Sequence, residues 1–137
     1  MKIETRYLGQ KRFQSGTGDT GVTMDGPIEA GGMGEAPSAK SMLLHGLAGC
    51  TGLDVVAILE KKKVTYDNFS LTVEAEQTTT HPKVFKTIFI VYRFVGDEAD
   101  RVHFERAVEL SKNQFCGVAA MLGKSAKIDW RVEIEPR

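Results

Sequence analysis

Alternating apolar and polar residues predict strands in several parts of the chain. Residues 1–26 are typical of short strands separated by turn residues. Residues 69–77 alternate cleanly, and the more apolar stretch 84–95 follows them after the turn TTTHPK. This arrangement predicts an antiparallel hairpin. The segment KIDWRVEIE alternates in the same way and predicts a last strand near the C-terminus.

A different spacing of apolar residues predicts a long helix after the glycine-rich and proline-rich loop 26–37. Ser38 follows that loop as a residue suited to cap a helix. Apolar side chains then recur every three or four residues as far as the lysines of EKKK. Since Leu43 and Leu53 lie on its other faces, the helix is expected to be buried on nearly all sides.

Three glycines lie inside this predicted helix, at positions 46, 49 and 52. Glycine in a helix interior costs about 0.5–1 kcal/mol relative to alanine. Close approach of another backbone, or a route for a substrate, would explain them.

A second helical pattern begins at Asp97 or Asp100. The residues expected on one side of it are Phe104, Ala107, Val108, Ser111 and Phe115. A short helix, GVAAML, follows and ends at Gly123. The resulting order, β-β-β-α-β-β-α-α-β, predicts an α+β fold with a largely antiparallel sheet in a single domain over residues 1–137.

Charge and composition argue against some classes of binding partner. The 137 residues carry a formal net charge of zero, which does not favour a nucleic-acid surface. The first ten residues are polar, and the uninterrupted apolar runs are shorter than a membrane span. We therefore expect a cytoplasmic protein with no nucleic-acid or membrane partner, in which the cysteines are thiols at rest.

The two cysteines lie in unusual surroundings. Cys50 stands in GLAGCTGLDV, among small residues, and Cys116 stands in KNQFCGVAAML. Cys116 is predicted to lie at a helix N-terminus, where the helix dipole lowers a thiol pKa. Cys50 lies in the middle of a helix and needs a cation supplied by the fold to become a thiolate. The plain alternative is that both are buried structural thiols.

The residue counts argue against a metal site. The chain has two cysteines and three histidines, without a CxxC or HxxxH pair, and His45 and Cys50 do not share a helical face. No Gly-x-Ser-x-Gly motif suggests a hydrolase. We expect neither a metal nor another cofactor.

Two segments of the chain resemble a known family. GGMGEAPSAKSMLLHGLAGCTGLDVVAILEKKK is similar to the first-cysteine signature of the OsmC/Ohr family, closest to its OsmC-like branch. AVELSKNQFCGVAAML is similar to the family's second-cysteine segment, although Gly117 stands where the family usually has proline. The resemblance implies an intertwined homodimer whose long helices cross at its centre, with two sites at the interface.

The resemblance also implies an activity. In active members the first cysteine attacks the O–O bond of an organic hydroperoxide, and the second forms a disulfide with the resulting sulfenic acid. Here Cys50 would be peroxidatic and Cys116 resolving, and a lipoyl or thioredoxin-type dithiol would reduce the disulfide. The apolar residues expected to contact the organic hydroperoxide are Leu43, Leu47, Leu53, Phe115 and Met121.

The family's activating residues are matched in part. Peroxidatic members pair an arginine from the N-terminal strands with a glutamate at the start of the central helix. Arg12 is the candidate arginine, whereas Lys40 and Ser41 stand where the glutamate is expected. The alternative function is therefore an OsmC-like protein that binds a small apolar ligand or senses redox state without efficient peroxidase activity.

Overall fold

The computed structural model describes residues 1–17 and 19–137. The order of elements is the expected one: three strands, a long helix, two strands, two helices and a last strand. The α+β class is confirmed. The chain folds into two compact units, Met1–His45 and Gly46–Arg137.

The first unit contains an antiparallel sheet of three strands: β1 (Glu4–Gly9), β2 (Arg12–Thr17) and β3 (Thr20–Asp25). The turn from β1 to β2 places Gln10 and Lys11 at φ 54° and 65°, in the left-handed region. The sequence therefore predicted the short strands of this region correctly.

The loop 26–37 is held to the end of β3 by a single buried carboxylate. Asp25 accepts hydrogen bonds from the backbone N–H groups of Met33 (3.3 Å) and Glu35 (3.1 Å). Its own N–H donates to the carbonyl of Pro37 at 3.0 Å. The glycine-rich segment is thus a loop with defined hydrogen bonds, and it includes a 3-10 turn over Ile28–Ala30.

The long helix α1 spans Ser41–Lys62. Ser38 acts as its cap, because the Ser38 hydroxyl accepts a hydrogen bond from the Ser41 N–H at 3.2 Å. Lys61 and Lys62 lie in the last turn, as the sequence predicted.

The second unit contains a sheet in which β5 (Phe85–Gly96) is central. It pairs antiparallel with β4 (Asn68–Gln77), which confirms the predicted hairpin. It pairs in parallel with β6 (Lys127–Pro136), because α2 (Arg101–Leu110) and α3 (Gly117–Leu122) carry the chain back across the sheet.

An aromatic stack forms part of the core of this unit. The ring of Phe94 on β5 lies 4.5 Å from that of Phe69 on β4 and 4.1 Å from that of Phe104 on α2. Leu47, Val55 and Leu59 of α1 are fully buried.

Contrary to the expectation from the sequence, Phe115 does not lie on the same side as Phe104 and Ser111. A π-helical turn, Ser111–Phe115, follows α2, and it changes the periodicity of the helix after Ser111. Ser111 stays fully buried, whereas Phe115 turns outward and is 58% exposed.

The prediction that α1 is buried on nearly all sides is also wrong for a single chain. The helix buries one face, formed by Leu47, Thr51, Gly52, Val55 and Leu59. On other faces Leu43 is 49% exposed and Leu53 is 74% exposed. Within a single chain, the sheet of the second unit covers only one face of a helix of this length.

By length and composition alone, α1 is also a candidate membrane span, with a mean hydropathy of 1.7. The central helix of a folded domain meets the same criteria. Here Leu47, Val55 and Leu59 are buried inside the protein. The absence of a membrane partner stays a prediction.

Four polar side chains form a continuous hydrogen-bonded chain beneath α1. Thr51 Oγ1 lies 2.8 Å from both Tyr92 OH on β5 and Ser111 Oγ in the π-helical turn. Ser111 Oγ donates to Asp54 Oδ2 at 2.9 Å. Each hydroxyl carries one proton, so Thr51 donates to Ser111, and Tyr92 donates to Thr51. Burial raises the pKa of Tyr92 to about 12, which keeps the phenol protonated as a donor.

Replacing Thr51 tests this chain. Thr51→Val keeps the shape of the side chain but leaves the buried hydroxyls of Tyr92 and Ser111 without their partner. We expect a loss of about 2 kcal/mol in the free energy of unfolding, measured by urea denaturation. Thr87→Val, on the exposed side of β5, is the matched control and should change stability by less than about 0.5 kcal/mol. Equal stability of the two variants would contradict the structural role of the chain.

Candidate functional site

The structure brings together two cysteines that are far apart in sequence. The sulfur atoms of Cys50 and Cys116 and a carboxylate oxygen of Asp54 all lie within 4.8 Å of one another. Both cysteines are free thiols. Cys50 and Asp54 are four residues apart on α1 and therefore share one face of the helix.

The π-helical turn places Cys116 against α1. The Cys116 N–H donates to the Ser111 carbonyl at 2.8 Å, which closes the turn. The Ser111 side chain is bound in turn by Thr51 and Asp54. Because π-helical turns insert an extra residue, this one lets Ser111 stay buried while Cys116 reaches the start of α3.

Cys116 lies at a helix start, as predicted, but the expected effect on its pKa is wrong. Its sulfur accepts a hydrogen bond from the Ala119 N–H at 3.3 Å. Burial of this thiol, which is 3% exposed, nevertheless raises its pKa to about 11. The neighbouring Cys50 raises it further, whereas the N–H groups of Ala119 and Val118 lower it. Desolvation therefore outweighs the short helix, and Cys116 is a neutral thiol at physiological pH.

Cys50 differs from Cys116 in its access to solvent. It is partly exposed, while Cys116 is buried. Of the two residues, Cys50 is therefore the one with surface open to solvent.

The apolar residues expected around the substrate have different positions. Leu47 is fully buried in the core. The other four are at least 49% exposed: Leu43, Leu53, Phe115 and Met121. Their contact with a hydroperoxide stays a prediction.

Arg12 lies at the start of β2, directly opposite Asp25 on β3. Its Nε atom is buried and has no hydrogen-bond partner in the described part of the chain. Burial alone would raise the pKa of Asp25, but backbone hydrogen bonds from Glu35 and Met33 and the charge of Arg12 hold it below its usual value. Arg12 therefore faces a buried carboxylate. Its approach to Cys50 stays a prediction.

Two acidic residues, one in each unit of the chain, were not singled out from the sequence. Asp54 could have been found from the spacing Cys-x-x-x-Asp on a predicted helix, because positions four apart lie side by side. Asp25 could have been found from the register of the hairpin, which pairs it with Arg12. No local signal pointed to Ser111 or Tyr92, since their partners are 60 and 41 residues away.

Comparison with known proteins identifies relatives of this chain. Residues 32–131 match the family model described as OsmC-like protein. The Escherichia coli protein YhfA is 31% identical over 100 residues, which are 73% of this chain and 75% of YhfA.

Solved structures agree over nearly the full length. The crystal structure of a hypothetical protein from Aquifex aeolicus superposes with a TM-score of 0.79 at 28% identity, covering 98% of this chain and 96% of that one. The Legionella pneumophila organic hydroperoxide resistance protein OsmC shares the fold, with a TM-score of 0.74 at 17% identity and coverage of 96% and 95%. The family model alone spans most of the chain, and so this protein belongs to the OsmC-like family.

Proposed function

We propose that this protein is a thiol peroxidase that reduces organic hydroperoxides through Cys50 and Cys116. The observation that carries the proposal is a pair of free thiols within 4.8 Å of each other, one partly exposed and one buried. Structural relatives that include an organic hydroperoxide resistance protein support the same chemistry.

The first step uses the exposed sulfur. The Cys50 thiolate attacks the terminal oxygen of ROOH, an S–O bond forms and the O–O bond breaks. The sulfur is oxidised by two electrons to a sulfenic acid, and the peroxide is reduced to ROH, which takes up the proton that the thiol released. Cys50 suits this role because it is the sulfur that solvent reaches.

The second step uses the buried sulfur. Cys116 attacks the Cys50 sulfenic acid, an S–S bond forms, and water leaves with the oxygen atom. Cys50 is one of the groups that raise the pKa of Cys116, so converting it to a neutral sulfenic acid makes Cys116 easier to ionise at the moment it is needed. A resolving thiol held this close prevents further oxidation to the irreversible sulfinic acid.

The cycle closes by exchange with a dithiol. A lipoyl or thioredoxin-type reductant donates two electrons and two protons, which restores both thiols and leaves the reductant as a disulfide. Attack at Cys50 is favoured because its sulfur is accessible. The cytoplasm is the compartment in which such reductants keep thiols reduced.

We also propose that the protein acts as a homodimer, with α1 at the interface. A side chain added at Gly46 or Gly49 would meet no atom within 4 Å among the described residues. Leu43 and Leu53 are exposed on the same helix. Exposed apolar area beside open glycine positions favours a second helix packed closely across this face.

Cysteine variants test the peroxidase proposal. Cys50→Ser should reduce the consumption of cumene hydroperoxide to the rate of buffer with dithiol alone. Cys116→Ser should consume one equivalent per chain and then stop, with a sulfenic acid that a dimedone probe labels at Cys50. If Cys50→Ser keeps its activity, the proposal is wrong. If Cys50 of the wild type reacts no faster with hydroperoxide than free glutathione does, the alternative function of binding a small apolar ligand is favoured.

Replacing Arg12 tests whether this residue activates Cys50. A charge-assisted contact to a thiolate is worth about 1.5–3 kcal/mol, so Arg12→Ala should slow the oxidation of Cys50 by about tenfold or more. Arg6→Ala, on the neighbouring strand β1, is the matched control. Equal rates for the two variants would exclude Arg12 from the site.

Sedimentation equilibrium tests the proposed interface. The wild-type chain should have twice the mass of a single chain. Leu53→Glu introduces a charge at a side chain that is 74% exposed and should shift the protein toward monomer. Val102→Glu changes a similarly exposed residue of α2, 64% exposed, and should leave the dimer intact. A wild-type monomer, or an unchanged mass for Leu53→Glu, would contradict the interface.

A further inference from the structure

We propose that the reduced protein binds one thiophilic divalent cation, of the class of Zn²⁺ or Cd²⁺, between Cys50, Cys116 and Asp54. The three donor atoms lie within 4.8 Å of one another, and they come from two different parts of the fold. The expectation of no metal site rested on counting cysteines and histidines. Those counts did not include carboxylates, and the carboxylate of Asp54 supplies the third ligand.

The donor set suits this class of ion. Thiolate sulfur binds Zn²⁺ at about 2.3 Å and carboxylate oxygen at about 2.0–2.2 Å. In a tetrahedral site such bonds separate two sulfur ligands by about 3.8 Å. Sulfur and oxygen ligands would be about 3.5 Å apart, so the ligand atoms need to draw together by about 1.3 Å at most. Three protein ligands leave a fourth position open to water.

Neighbouring groups already orient two of the three ligands. Ser111 Oγ donates to Asp54 Oδ2, and this hydrogen bond holds the Asp54 carboxylate in one orientation. The Ala119 N–H donates to the sulfur of Cys116. Second-shell hydrogen bonds of this kind fix ligand geometry and are a regular feature of metal sites in proteins. The preorganised chain through Thr51 and Tyr92 holds Ser111 in turn.

The site is open to solvent on one side, and its donor atoms favour soft ions. Cys50 is partly exposed, so an ion can bind its sulfur first and then reach the buried Cys116. Two thiolates and a carboxylate carry three negative charges, which a divalent ion offsets in part. Zn²⁺ and Cd²⁺ are favoured over Mg²⁺ or Ca²⁺, because thiolates select soft ions and hard ions prefer oxygen ligands.

Metal binding and thiol oxidation exclude each other at this site. A bound ion takes one lone pair of each sulfur, withdraws charge from it and so slows its attack on a peroxide. A disulfide between Cys50 and Cys116 removes two ligands and leaves Asp54 alone, so oxidation releases the ion. The metal would therefore hold the reduced pair in a protected state.

Titration of the reduced protein with Cd²⁺ tests the proposal, with the sulfur-to-metal charge-transfer band in the ultraviolet as readout. We expect saturation at one Cd²⁺ per chain and displacement of Cd²⁺ by Zn²⁺. Cys50→Ser should lose most of the band. Asp54→Asn should weaken binding by about tenfold or more, whereas Glu60→Gln, an exposed acid on the same helix, should leave it unchanged.

Failure of this proposal is distinguishable from failure of the peroxidase. The titration contains no peroxide, so a chain that reduces no hydroperoxide can still show the band. Wild-type protein oxidised with diamide has the same residues and is the control for a variant that fails to fold. It should lose the band, while its circular dichroism spectrum should match that of the reduced protein. A reduced wild type without saturable Cd²⁺ binding would overturn the site. Equal affinity of Asp54→Asn and Glu60→Gln would also overturn it.

Discussion

The position of the two thiols depends on a short run of buried hydrogen bonds. Tyr92, Thr51, Ser111 and Asp54 come from the central strand, the long helix and the π-helical turn, and each bonds to the next. Buried hydroxyls are costly to leave unpaired, so these three elements have one satisfied arrangement. That arrangement fixes Cys50 through its neighbour Thr51 and fixes Cys116 through the turn that Ser111 begins. Apolar packing stabilises the second unit, and the chain of hydrogen bonds fixes the positions of β5, α1 and the π-helical turn relative to one another.

The same geometry gives the two sulfurs different chemistry. Cys116 is buried, and desolvation raises its pKa to about 11. Cys50 is reachable from solvent. A pair divided in this way suits a sequence in which the accessible sulfur reacts first and the protected sulfur reacts second. Asp54 adds a carboxylate beside both, which also makes the reduced pair a set of metal ligands. The proposed peroxide reduction and the proposed metal binding thus both depend on this one cluster.

Patterns within short stretches of sequence predicted much of the fold. The order of elements, the hairpin of β4 and β5 and the cap at Ser38 all follow from periodicity and local chemistry. Other features did not follow from these patterns. The parallel pairing of β6 depends on the path of the chain through α2 and α3, and Phe115 turns outward because a π-helical turn interrupts the helical period.

The site was predictable to a similar extent. Residue type and family resemblance pointed to Cys50 and Cys116, and the structure brings them together. The pKa of Cys116 was misjudged, because the sequence shows the helix start but not the depth of burial. Asp54 was within reach of the sequence, whereas Ser111 and Tyr92 depended on the tertiary fold.

The central claim is that Cys50 and Cys116 form one redox unit. The most direct measurement is a count of free thiols in reduced protein, seconds after one equivalent of cumene hydroperoxide, with peptide mapping of any disulfide and hydrogen peroxide in parallel. The account predicts that two thiols per chain are lost, faster with the organic peroxide, and that the map shows a Cys50–Cys116 disulfide within one chain. Loss no faster than that of free glutathione, or a disulfide between chains, would contradict it.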